Sequence, residues 1–576
     1  MKRTRALLLV WLGAFAAFFC TAHGNLESLD STFTMHAARA LLHRGDSGLL
    51  GSGQAGASRS EQEIVALIAD RAAHGVQAYG KVGRNGLTYV WFPMGHVWLM
   101  VPCVALGDAL QAVFPSLEER FRTASRASPQ SYRFSEFVTS HAAVAMLLPP
   151  LFGATSVLLL FLIAGALGAA PRDAAWSTAA IALATQLFPL GSETLSDGPG
   201  MCFLLAALYA TVRAHCGTAT VRTLLLGGLA AGVAVLTRYP HGLLVPPLLL
   251  AVALAGLRRG RRADALWFAL GGLPCLLLLL TVDHLRFGSV SDTGYPAAGS
   301  WFNYPVYFGV LKLLIAAGKG ILWFSPMLWL ALPAATSRAR VPELRWLAWL
   351  LFAIPMLMFG STNGWQSGQC WGVRYVTPGV VALCALALPQ ALPWRSFRRT
   401  FLLLFAAGAF VNLTSVIAPT RGHNQLAGQA VRAMYDRELA AGQITEADRH
   451  GVDEADHYFF LPRFSPLHAN WTYAFKSWRG DFEDASGAPR NGSANTIEPL
   501  FGIEAVPGAM PPQDLAPVQW EDRGGRHLWW VFWGTLLGVP ALLLLLPALA
   551  VAVVATWLGW RGVLAMPAPV EIPDTR

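Results

Sequence analysis

Charge is what this sequence has least of. Only 13% of its 576 residues are Asp, Glu, Lys or Arg, where a soluble domain carries about 25%. Hydrophobic residues make up 54%, and the mean hydropathy is +0.44. Many apolar runs exceed the ~18 residues that cross a bilayer core. A water-soluble globular chain is excluded, and an all-α polytopic membrane protein remains. Lysine is scarcer still: five of 43 basic residues, so each lysine position carries weight. The seven cysteines form no C-x-x-C pair, which excludes a disulfide or metal framework readable from spacing. They read as small apolar residues, with Cys370 in an outer loop the exception. No internal repeat stands out, which weighs against a transporter built from repeats.

What is present is a topology written in arginine. The net charge of +9 is no nucleic-acid footprint, because the basic residues cluster in short loops between apolar runs. Those runs fall near 6–22, 88–113, 142–169, 174–190, 199–214, 222–237, 240–257, 263–282, 320–336, 346–360, 375–392, 401–418 and 528–559. Arg258-Arg259-Gly260-Arg261-Arg262, the group Arg338, Arg340 and Arg345, and the group Arg395, Arg398 and Arg399 all belong in the cytoplasm. Lys2, Arg3 and Arg5 put the N-terminus there too, as an uncleaved anchor rather than a signal peptide. The count agrees with these charges only if one early segment does not cross. The segment 88–113, with Pro93, Gly95, His96, Pro102 and Asp108, is the one expected to lie on the outer face. Twelve spans follow, with outward loops 23–141, 191–198, 238–241, 283–319, 361–374 and 419–527. The last apolar run, 528–559, is long enough to tilt, or to fold back around Pro540 and Pro547.

Candidate chemistry sits in the outward loops. Asp30 follows the first span in Leu29-Asp30-Ser31-Thr32-Phe33, at the start of a helical stripe. Two readings stand: Asp30 caps that helix, or its carboxylate is a base at the membrane surface. Tyr79-Gly80-Lys81 places a lysine among glycines, where backbone approaches a ligand closely and an ammonium meets phosphate. Asp283-His284-Leu285-Arg286-Phe287-Gly288-Ser289, Thr293-Gly294-Tyr295 and Gly318-Lys319-Gly320 form a third group, in which Lys319 is either a phosphate ligand or a snorkelling lysine. The fourth is Trp365-Gln366-Ser367-Gly368-Gln369-Cys370-Trp371-Gly372-Val373-Arg374-Tyr375. Tryptophan faces there suit sugar or lipid, and Arg374 suits phosphate. Weaker candidates are Glu193, Asp197, Arg238, His241 and the stretch Phe464 to His468.

Taken in order, these motifs resemble the C superfamily (GT-C) of polytopic glycosyltransferases, which includes protein O-mannosyltransferases and lipid A aminoarabinose transferases. The resemblance runs from about Ala6 to Pro419. It rests on Asp30, Tyr79-Gly80-Lys81, Leu236-Thr237-Arg238-Tyr239-Pro240, Arg286-Phe287-Gly288, Gly318-Lys319-Gly320 and Trp371-Gly372-Val373-Arg374-Tyr375. The chain departs from the many members with paired acids in the first loop. Here Ser31 follows Asp30, and the nearest acid is Glu27.

The resemblance implies a transmembrane catalytic domain over 1–418, a periplasmic loop domain over 419–527, and a last span with cytoplasmic tail over 528–576. It implies a bacterial inner-membrane enzyme whose site faces the periplasm. The donor would be a polyprenyl-phosphate sugar and the acceptor a lipid, glycan or protein. Asp30 would be the general base of an inverting single displacement. Lys81, Lys319 and Arg374 would hold the donor phosphate, while Tyr79, Trp365, Trp371, Arg238 and His241 would line the substrate groove. No cofactor is expected, and the lone acid gives no support to a metal. Two other classes stay open: an O-antigen ligase or polymerase relying on Arg421 and His423, and a multi-span transporter or flippase.

Overall fold

The computed structural model describes residues 2–26, 28–74, 79–125, 138–295, 301–336, 341, 343–368, 370–393, 395–418, 420–445, 459–481 and 523–566. Among these the fold is helical, as the composition requires. Its one sheet is a short antiparallel hairpin, Gly80–Val82 against Thr88–Val90, with Lys81 opposite Tyr89. Among the described residues, six helices are long and apolar enough to cross a bilayer: Met94–Val113, Thr139–Ala166, Tyr239–Arg258, Asp264–Phe287, Arg395–Ile417 and Ala541–Leu564. Thr4–Phe19, Val221–Thr237, Val306–Ile315 and Leu344–Gly360 are shorter apolar helices.

Several expectations change: six span-length helices stand among the described residues where twelve spans were expected, and the run 320–336 breaks into Ile321–Phe324 and Leu328–Thr336 at Ser325-Pro326. The run 88–113 is not one element: Thr88–Val90 is a strand, and the helix begins at Met94 after Pro93. That helix runs through Pro102 and has the length of a span. The run 528–559 breaks into Trp529–Leu537 and Ala541–Leu564. Gly538 ends the first piece in the left-handed region, φ 70°, which suits a residue without Cβ. Pro540 then starts the second piece, while Pro547 sits inside it without ending it.

Small residues let the bundle close. A Cβ on Gly228 would stand 1.8 Å from the Phe268 carbonyl oxygen, and one on Gly271 2.1 Å from that of Leu225. The Val221–Thr237 and Asp264–Phe287 helices therefore meet backbone to backbone, the packing that lipid-embedded helices use for want of a hydrophobic drive. The first helix runs antiparallel to the last. Gly13 meets Thr556, Gly559 meets Val10, and Gly562 meets Ala6.

The Arg258–Arg262 loop lies against the chain near Ala214, Ala219 and Glu343. Arg259 and Arg261 bond the carbonyls of Ala214 and Ala219, and Arg258 pairs with Glu343. The Val221–Thr237 helix starts there and reaches Arg238 at the opposite end, about 25 Å away at 1.5 Å per residue. At that end, Thr420–Ala440 and Pro466–Arg479 share a small core of Leu426, Ala430, Val431, Phe464 and Tyr473. Residues 446–458 and 482–522 of the same loop lie outside the described residues.

Candidate active site

The first helix turn at Leu29–Arg44 settles what caps it. Ser28 accepts the amide hydrogen of Asp30 at 3.1 Å and is the N-cap; Asp30 is not. A side chain one step inside the helix points its carboxylate outward, at an end where the helix dipole favours negative charge. Ser31 fastens this turn by donating to the Thr194 carbonyl at 2.8 Å.

The Asp30 carboxylate meets Arg374, whose Nη2 donates to Oδ2 at 2.9 Å across 344 residues of sequence. Arg374 opens a single 3-10 turn, Arg374–Val376, ahead of the Thr377–Ala391 helix. Gly372 before it has φ 59°, and a Cβ there would run into Gln186. Gln186 is the clamp. With its amide turned to satisfy its neighbours, it donates to Thr377 Oγ1 (2.6 Å) and the Val373 carbonyl (2.9 Å), and accepts from the Val373 amide (3.1 Å).

Asp197 holds the other side. It begins the Asp197–His215 helix and is wholly buried. Its Oδ2 lies 2.9 Å from Arg238 Nη1 and 3.6 Å from Arg374 Nη1. Tyr375 lies between the two guanidiniums, 4.8 Å from Arg238 and 5.2 Å from Arg374. The chain turns at Arg238 because Pro240 follows two residues on, and proline cannot continue the helical bonding. Two acids and two arginines thus form one network. Both carboxylates are neutralised by guanidinium, and no group of three or more metal-ligating side chains occurs among the described residues.

Lys319 approaches from behind the Trp365–Arg374 loop. Its Nζ donates to the carbonyls of Gly368 (2.8 Å) and Cys370 and lies 4.5 Å from the Phe459 ring. Burial pushes its ammonium down to about 8, with the charge of Arg374 adding to the shift and Cys370 and Glu193 opposing it. Tyr79 stands in the left-handed region at φ 62°, a strained state for a side chain of that size. Burial and the charge of Asp30 push its phenol up. Its ring packs edge-on against Phe33 (5.8 Å) and tilted against Trp91 (5.6 Å).

Other expected residues lie elsewhere. Lys81 pairs with Asp292 and sits over the Phe287 ring, on the outer end of the Asp264–Phe287 helix. It touches none of Asp30, Asp197 or Arg374, because successive strand residues face opposite ways and the hairpin turns it outward. Trp365 and Trp371 are 0% and 2% exposed. They brace the loop against Phe459 and Phe324 and offer no open ring face to a ligand. His241 is buried against Gly200, beside Arg238. His423 is buried behind Lys319, where burial pushes its imidazole down to about 4.

Sequence reading ranked Asp197 low and picked out Tyr295 without the aromatic wall it belongs to. Trp91 stacks on Tyr295 at 5.0 Å and 4°, and Trp301 meets both at 6.1 Å. Asp30, Arg238 and Arg374 all act electrostatically on Tyr295. An acid beside an outward loop was the available signal for Asp197; nothing local tied Tyr295 and Trp301 to Trp91, which lies over 200 residues earlier.

Residues 134–283 match the family model described as dolichyl-phosphate-mannose-protein mannosyltransferase. That stretch holds Asp197, Arg238 and His241, while Asp30, Lys319 and Arg374 lie outside it. Among solved structures, the crystal structure of ArnT from Cupriavidus metallidurans bound to undecaprenyl phosphate aligns with 97% of this chain and 76% of its own, at 13% identity and a TM-score of 0.42. A score that low carries no weight for ligand or mechanism. No curated protein matches. The resemblance to GT-C membrane glycosyltransferases is met by the family match over 134–283.

Proposed function

We propose that this GT-C-like membrane glycosyltransferase moves a sugar from a polyprenyl-phosphate donor to an acceptor hydroxyl at the periplasmic face, by single displacement with inversion. The acceptor O–H gives its proton to Asp30 as the acceptor oxygen attacks the anomeric carbon. The bond from that carbon to the phosphate oxygen breaks, and the electron pair leaves with polyprenyl phosphate. Arg374 faces the charge that builds on the leaving phosphate, with Arg238 and the buried Lys319 adding positive potential from behind it. Asp30 is the better base of the two acids. Its side chain is 24% exposed, whereas Asp197 is wholly enclosed and bridges two arginines. Lys81 is left out of this clamp because Asp292 occupies it.

The observation that carries the reading is the Asp30–Arg374 contact, with Asp197 fixing the arginine from its far side. Its position at the end opposite the Arg258–Arg262 loop favours the outer face. The ligase reading is less favoured, since it needs His423 reachable and that side chain is 1% exposed. The test is to incubate purified protein with a panel of labelled polyprenyl-phosphate sugars and a lipid-glycan acceptor. Transfer of label off the polyprenyl lipid supports the reading. Label that stays on the lipid but crosses the bilayer of a proteoliposome supports a flippase instead.

A further inference from the structure

We infer that the Pro466–Arg479 helix lies in the headgroup layer of the outer leaflet, with Phe475 and Trp478 inserted among the lipids. At 3.6 residues per turn this helix has three faces. Ala469, Asn470, Tyr473, Ala474 and Ser477 are buried and form its protein face. His468, Thr472 and Arg479 are exposed and polar. Between those faces runs an aromatic stripe: Trp471, Phe475 at 62% exposure and Trp478 at 49%. The aromatic and polar faces adjoin, with Arg479 5.4 Å over the Phe475 ring and Gly525 against one edge of Trp478, so the helix has a docked side and an aromatic side rimmed by cations, which suits a boundary between protein, water and lipid.

The stripe continues a surface that already faces lipid. The Arg395–Ile417 helix is long and apolar enough to span, and Leu402, Leu403, Phe410 and Leu413 lie on its exposed side. Trp471 stacks on Phe410 at 5.1 Å and 20°. Phe410 is seven residues short of that helix's outer end, about 10 Å deep along the axis. Trp478 reaches the end itself, donating from Nε1 to the Ile417 carbonyl at 3.1 Å. Indole rings with one wet edge suit that depth. Lys476 and Arg479 occupy the last turn, where cations meet lipid phosphate.

The placement also fixes the depth of the Lys319 loop. Ser465, the N-cap of this helix, donates to the Ala317 carbonyl at 2.6 Å, and Gly318 donates to the Phe459 carbonyl at 2.7 Å. Insertion of the helix does not depend on any catalytic reading.

The test uses full-length protein in phosphatidylethanolamine–phosphatidylglycerol vesicles, with Cys20, Cys216 and Cys370 replaced by serine. Single nitroxide labels are placed at 468, 472, 475 and 478. Labels at 475 and 478 are expected to relax faster with oxygen than with a water-soluble nickel chelate; those at 468 and 472 should show the reverse. A nickel-accessible label at both 475 and 478 would overturn the inference. A second readout needs no nitroxide. Phe475→Cys and Trp478→Cys should resist a membrane-impermeant maleimide in vesicles and react in detergent. Equal reaction in both would likewise refute insertion, and protection by a soluble protein partner instead would show as loss of protection on dilution of unreconstituted extract.

Discussion

Asp30, Asp197, Arg238 and Arg374 make sense only as a set. Arg374 holds two carboxylates through its fork, a geometry an ammonium cannot copy. Arg374→Lys should therefore lose at least about tenfold in kcat/KM although its charge is kept, the size of one charge-assisted contact of roughly 1.5–3 kcal/mol. Steady-state kinetics with a polyprenyl-phosphate sugar checks this. Asp197→Ala would leave two guanidiniums facing each other in a buried site, and losing one partner of a buried pair costs about 3–5 kcal/mol. Its thermal midpoint in detergent should fall clearly, whereas Asp30→Asn, at a partly exposed site, should barely move it. Lys319 adds a pH signature. Its ammonium titrates near 8, so it is charged below that value and neutral above. Donor KM should rise as pH climbs past the value to which burial lowers this ammonium, because its charge is lost there; a Lys319→Met protein should not show that rise. The fold responds oppositely. Between about 8 and the unfolded ~10.4 the unfolded chain binds the extra proton, so this group favours the folded state more as pH rises. The residues of this network were visible in sequence, but not its wiring. Asp30 and Arg374 stood out as outward charges; nothing local said that they touch, or that Ser28 rather than Asp30 would cap the helix.

Helices were the more legible scale. Apolar length marked where the helices lie but not how many cross: twelve spans were expected, and six of the described helices are long and apolar enough. Pro540 was readable as a break in the last run, and the structure breaks there. The run 88–113 was harder, since a β-hairpin edge and a helix start both read as apolar. Helix contacts were not legible at all, as glycines by themselves name no partner. Gly228 and Gly165 make a matched comparison. A Cβ on Gly228 strikes a backbone oxygen, while one on Gly165 meets nothing within 4 Å. Gly228→Ala should lower stability by about 1–3 kcal/mol as an overpacked contact, and Gly165→Ala should leave it unchanged or slightly raised. Chemical unfolding of both proteins in one detergent compares them directly.

The whole molecule places its Arg258–Arg262 loop at one end of the Val221–Thr237 helix and a paired acid–arginine network at the other. A bilayer fitted between them would put that network within reach of a lipid phosphate on the far leaflet. Lys81 and the two tryptophans show where whole-chain reasoning overreached: shared sidedness was taken for a shared cleft, and tertiary contacts assign them to Asp292, Phe459 and Phe324 instead. The account comes down to one carboxylate taking a proton as a sugar leaves its phosphate. The direct measurement is single-turnover transfer from a labelled polyprenyl-phosphate sugar by wild-type and Asp30→Asn proteins, with donor binding recorded on both. Donor affinity within a few-fold and a transfer rate lower by about 10²–10⁴, the range of a lost general base, is the predicted result. Undiminished transfer by Asp30→Asn would contradict it.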